Sequence, residues 1–144
     1  MNKKQLIPEE ELKKLLNQVD ISDSIKTLIK EADELFRDNK LISAQEKLSN
    51  ALDFIPDNLH LLNAYGNLLL HIGEPEYAAF EFVKIAVFDK NFALNHLNPD
   101  ALLLVAENYL KIDDPVTASL IYKRVLEIEP YNEKAKQQLE IIQT

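Results

Sequence analysis

Apolar residues recur at intervals of three and four along most of this chain, the spacing of helices with one greasy face. Leu12, Leu15, Leu16 and Val19 form the first such stripe and predict a helix over about 8–19. Pro8 and Glu9, Glu10 and Glu11 suit its first turn, where a missing N–H costs little and negative charge meets the positive helix end. Residues 1–7 carry no such pattern and are expected to be loose. Asp20-Ile21-Ser22-Asp23-Ser24 is a break rich in helix-capping side chains. Beyond it come paired stripes. Leu28, Ala32 and Leu35 precede Ala44, Leu48, Ala51 and Leu52, with Asp38-Asn39 between them and Pro56 at the close. Leu62, Gly66 and Leu69 precede Ala78, Phe82 and Ile85, divided by Gly73-Glu74-Pro75. Leu102, Ala106 and Tyr109 precede Ala118, Tyr122 and Val125, divided by Asp113-Asp114-Pro115 and closed at Pro130. Asn132 can cap a last helix through about Gln143, apolar at Ala135, Leu139 and Ile142.

The three pairs fall on one template of 34 residues. Aligned on Ala44, Ala78 and Ala118, the small residues Ala32, Gly66 and Ala106 coincide. So do the larger Leu48, Phe82 and Tyr122, and then Ala51, Ile85 and Val125. Pro56 and Pro130 share a slot that Lys90 fills in the middle copy. A fixed period of this kind marks one supersecondary unit used three times. Its mechanics are plain: two antiparallel helices cross closely only where a side chain is small, and larger neighbours fill the space beside the crossing. The units are expected at 25–58, 59–92 and 99–132. Residues 93–98 are extra and are expected to form a loop. The segment 133–144 is expected to be a helix capping the last exposed face.

This small–large alternation with a closing proline resembles the tetratricopeptide repeat (TPR) family. The resemblance implies an all-α fold, a right-handed superhelix of three helix hairpins with an amphipathic helix before them (residues 1–24) and a capping helix after them. It also implies that the first helices of the repeats line a concave groove that holds peptides. The groove positions would be Ile29, Asp33 and Phe36, with Lys26 and Arg37, in the first repeat. In the second they would be His60, Asn63, Asn67, Leu70 and His71. In the third they would be Leu103, Glu107 and Leu110, with Asp100 and Lys111. Asn63 and Asn67 could bond the backbone of an extended peptide, and the apolar members could receive its side chains. The competing expectation is that these residues bury against the N-terminal helix, the C-terminal helix or a second copy. The TPR subfamily that grips acidic chain ends uses a clamp of Lys, Asn, Asn, Lys and Arg. The matching positions here hold Ile29, Asp33, Ala64, Asp100 and Leu104, two of them acidic, so a carboxylate ligand would be repelled.

Composition narrows the chemistry. The chain is 47% hydrophobic over 144 residues, enough for one domain with a core. Its net charge of −8, spread along the chain with no basic stripe, argues against nucleic-acid binding. No apolar run approaches the roughly 20 residues that span a bilayer. The N-terminus starts like a signal peptide but meets three glutamates where an apolar stretch belongs, which disfavours export by that route and favours a cytoplasmic location. Cysteine is absent, removing disulfides, thiolate metal sites and thiol nucleophiles. Two glycines cannot make a phosphate-cradling loop, and no G-x-S-x-G or H-E-x-x-H is present. His60 and His71 share a helix face but lie roughly 16 Å apart, too far to share a metal, and His96 falls in the extra segment. No catalysis, cofactor or metal is expected.

A second resemblance is to the class II chaperones of bacterial type III secretion. It rests on Leu16-Asn17-Gln18-Val19 leading into Ser22-Asp23, on the pair Gly66 and Gly73, and on Ala106-Glu107 followed by Leu110 and Ala118. Asn108, where that family favours Cys, and the extra segment 93–98 depart from it. The resemblance implies a cytosolic protein that holds an export client in its groove. The expectation is therefore a protein or peptide partner, with homodimerisation through the stripe of the first helix. The rivals are a scaffold subunit contacted on its outer side, and a small helical enzyme or metal protein.

Overall fold

A computed structural model describes residues 6–143. Among them the chain is helical throughout, with no strand. The elements are α1 (Glu9–Leu16), α2 (Asp23–Arg37), α3 (Leu41–Phe54), α4 (Leu59–Ile72), α5 (Pro75–Phe88), α6 (Lys90–His96), α7 (Pro99–Lys111), α8 (Pro115–Ile128) and α9 (Glu133–Gln143). They form two compact units that divide between Ala78 and Ala79, inside α5.

Each repeat turns in the same way. Asn39, Gly73 and Asp113 occupy one template position and have φ of 60°, 93° and 62°. The residue after each closes the helix C-terminus. The Lys40 N–H donates to the Leu35 carbonyl at 2.8 Å, Glu74 to Leu69 at 2.9 Å and Asp114 to Tyr109 at 2.9 Å. A left-handed residue followed by such a bond satisfies carbonyls that the helix end would otherwise orphan. The helix starts share a device too. Asn58, Asn98 and Asn132 each accept an N–H three residues on, from Leu61 at 3.0 Å, Ala101 at 2.8 Å and Ala135 at 3.0 Å.

In the first unit α2 packs on α3 and α3 on α4. Ala32, Ala44, Leu48 and Ala51 are buried there, as the small–large alternation predicts. The same buried cluster holds Leu61, Ala64 and Leu68 of α4 and, from the N-terminal segment, Leu6, Ile7, Leu15 and Ile21. Two expectations change. Leu6 and Ile7 are core residues, while residues 1–5 lie outside the described residues. The first helix ends at Leu16, and Val19 is wholly exposed. The chain turns at Asn17 and Gln18 so that Ile21, two residues past Val19, reaches the core.

In the second unit α7 packs on α8 and α8 on α9. Leu102, Val105, Ala106, Ala118, Ile121, Tyr122 and Val125 are buried, as are Ala135 and Leu139 of α9. The extra segment is not a loop, because Lys90 begins α6. Asp89 caps it by accepting the Phe92 N–H at 3.0 Å. Ala93 and Leu97 are buried, and Arg124 Nε donates to the Leu94 carbonyl at 2.8 Å, so α6 has packing of its own.

Candidate functional site

The expected groove positions fall in register. Ile29, Asn63 and Leu103 are one template position; Asp33, Asn67 and Glu107 are the next; Phe36, Leu70 and Leu110 are the third. All nine lie on α2, α4 and α7 at i, i+4 and i+7, hence on one face of each helix.

Their surroundings differ by repeat. In α2 the face is closed: Ile29, Asp33 and Phe36 are 0%, 5% and 7% exposed. Asp33 pairs with Arg37, Oδ2 to Nε at 3.1 Å, while its Oδ1 is buried with no hydrogen-bond partner among the described residues. Burial pushes the Asp33 carboxyl above its usual range, with the Arg37 charge opposing the shift. In α4, Asn63 is buried and Asn67 partly exposed, and Asn67 Nδ2 donates to Asn63 Oδ1 at 3.5 Å. That bond occupies one amide group of each expected peptide-binding asparagine. Leu70 is partly exposed and His71 exposed, its ring meeting Phe36 edge-on at 5.1 Å. His60 Nδ1 lies 3.2 Å from Glu11 Oε2, tying α4 to α1. In α7, Leu103, Glu107 and Leu110 are all partly exposed, and Glu107 sits 3.7 Å from Lys134 of α9.

The residues 6–15 of the first unit were not among the expected site residues. Leu12 and Leu15 were legible as part of the first stripe, while the Leu6-Ile7 pair was too short to show a period. A depression of about 570 Å³ in the second unit was also not foreseen. It is lined by Val116, Leu120 and Ile142, with Lys90 and Lys123 among its remaining residues. Val116 and Leu120 are apolar one turn apart on α8, outside the template slots, and that spacing was its signal. Among the described residues no three His, Asp or Glu side chains converge as a metal site would require. Among them too, no helix is long and apolar enough to cross a membrane.

No family model matches the chain, and no curated protein matches its sequence. Solved structures do match its fold, which is that of TPR domains. The first TPR domain of Spaghetti (RPAP3), bound to the HSP90 peptide SRMEEVD, aligns over 88% of this chain and 96% of that one, with TM-score 0.53 and 17% identity. The type III secretion translocator chaperone SycD of Yersinia enterocolitica, in an alternative dimer, aligns over 88% and 96%, with TM-score 0.53 and 16% identity. PcrH, in complex with the chaperone binding region of PopB, aligns over 85% and 95%, with TM-score 0.52 and 14% identity. Both resemblances read from the residues, to TPR proteins and to secretion chaperones, thus recur among the structural neighbours.

Proposed function

We propose that this chain is a non-catalytic protein-interaction module that holds an extended or helical segment of a partner against the first helices of its repeats. The observation that carries this reading is the partly exposed face of Leu103, Glu107 and Leu110. It pairs two apolar anchors with a polar residue between them, on a fold whose neighbours include proteins solved with bound peptides. An acidic chain end of the HSP90 kind is a poor fit, because the clamp positions hold Ile29, Asp33, Ala64, Asp100 and Leu104. An apolar segment of an export client, held as a cytosolic secretion chaperone would hold it, suits them better. Shielding such a segment keeps the client from aggregating and needs no nucleotide. Homodimerisation through α1 has less to recommend it than its stripe suggested, since Leu15 is spent on the chain's own core.

Selection of short peptides from a random display library tests the reading. Aliphatic peptides are expected to be enriched on the native chain. Leu103→Asp and Leu110→Asp should each weaken the selected peptides at least tenfold, while Leu120→Asp on α8 leaves them unchanged. Failure to enrich any peptide, or full retention by both α7 variants, would overturn it. A second reading, a scaffold subunit contacted on its outer helices, is favoured by the exposed Phe80, Val87 and Phe88 of α5 and by the depression on α8. Loss of binding in Leu120→Asp alone would select it.

A further inference from the structure

We propose that residues 6–15 occupy, from within the chain, a partner-binding face on the first unit, and that the partner replacing them is a non-helical segment with two adjacent aliphatic side chains followed by proline. The proposal rests on the functional reading above and names what its first site accepts.

The internal repeat supplies the comparison. Ile29, Asp33 and Phe36 stand at the template positions of Leu103, Glu107 and Leu110, and the two helices present them alike. On α7 these positions are partly exposed; on α2 they are closed. What accompanies the closure is an added segment. Leu6 and Ile7, 2% and 1% exposed, belong to the same buried cluster as Ile29, Phe36, Leu61, Ala64 and Leu68. They precede the helix and lie in a bend, so they enter the core as non-helical chain rather than as a helix face. Pro8 and Glu9, directly after them, are exposed. Leu6-Ile7-Pro8 therefore shows the kind of segment the face receives.

The segment is held by the buried side chains of Leu6, Ile7 and Leu15. The helix that follows has eight residues, too few to persist on its own. Between α1 and α4, Glu11 Oε2 lies 3.2 Å from His60 Nδ1. Beyond α1 the chain passes through exposed Asn17 and the wholly exposed Val19 before Ile21 anchors it again. The fit also leaves something unmet. Asp33 Oδ1, buried on this face, receives no hydrogen from the segment. A partner that places an N–H or hydroxyl there gains a bond that residues 6–15 do not make. Tethering gives the internal segment a high effective concentration, so it masks the face until a better partner arrives.

The test uses the full chain and a fluorescent peptide copying residues 5–16. The chain has no cysteine, so Glu11→Cys/His60→Cys supplies two thiols that a short reversible linker can bridge. The peptide should bind Leu6→Asp/Ile7→Asp at least tenfold more tightly than the native chain. It should not bind the bridged protein, and it should bind again once the bridge is cleaved. Should the double variant unfold, Ile7→Ala gives the same comparison at a smaller perturbation. Equal binding to native, opened and bridged forms overturns the proposal, as does no binding to an opened variant of native helical content. Bridging between two molecules rather than within one overturns it too, by assigning the face to a second copy. If library-selected peptides still bind in those cases, the broader functional reading stands. If they bind no form, it falls as well.

Discussion

Asn39, Gly73 and Asp113 do the same work with different side chains, and their backbones show what each substitution would change. All three have positive φ, where glycine is at ease, Asn is tolerated and other residues are strained. A Cβ at Gly73 would meet nothing within 4 Å, so the penalty of Gly73→Ala is conformational alone, about 1 kcal/mol. Asp113→Gly relieves that strain and should stabilise by about 0.5–1 kcal/mol, and Asn39→Gly by less. Chemical denaturation of the three variants checks the order. Asp33 gives a second prediction at this scale. Its folded pKa is raised, so the native state binds the proton more tightly than the unfolded chain does. Its ionisation therefore removes stability as pH rises through and above the ordinary carboxylate range. Asp33→Asn should be the more stable protein at pH 7, and its advantage should shrink toward pH 4, as read from paired denaturant melts. Asp33 was legible in the sequence as a first-helix position. Its buried, half-satisfied state was not, because it arises from packing that the repeat pattern does not encode.

Elements were most legible where periodicity and punctuation agreed. The six repeat helices follow the 34-residue template because apolar slots, turn residues and capping residues all give the same register. Legibility failed where one signal spoke alone. The stripe at Leu12, Leu15 and Leu16 continued in sequence to Val19, yet the chain turns at Asn17 to bury Ile21 instead. Residues 93–98 read as a loop since they exceed the period, yet residues 93–96 complete a helix because Asp89 caps it and Ala93 and Leu97 find apolar cover. That account makes a contrast testable. Lys90 is the first residue of α6, where a missing N–H costs nothing, and Asp89 before it is already extended. Lys90→Pro, which restores the proline of the other repeats, should change stability by less than about 0.5 kcal/mol. Ala93 instead donates its N–H to the Asp89 carbonyl at 3.2 Å. Ala93→Pro should cost about 3 kcal/mol and reduce helical ellipticity.

At the scale of the whole molecule, charge decides which partners arrive quickly. The net charge is −8, and no segment of the sequence is strongly basic. Under the proposed function, apolar anchors such as Leu103 and Leu110 would set how long a bound segment stays, through contacts that salt barely alters. The long-range field acts earlier, on the encounter, and salt screens it over about 10 Å at 0.1 M. Two peptides with the same aliphatic core, one flanked by lysines and one by glutamates, should therefore differ mainly in association rate. At low ionic strength the lysine-flanked peptide should associate about tenfold faster, with dissociation rates within about twofold of each other. By 0.5 M salt the two association rates should converge. Stopped-flow fluorescence over a salt series measures both rates. A difference that persisted at high salt, or that lay in dissociation, would place charged groups of this chain in direct contact with the flanks. The acidic balance would then be part of the binding surface itself rather than a field around it.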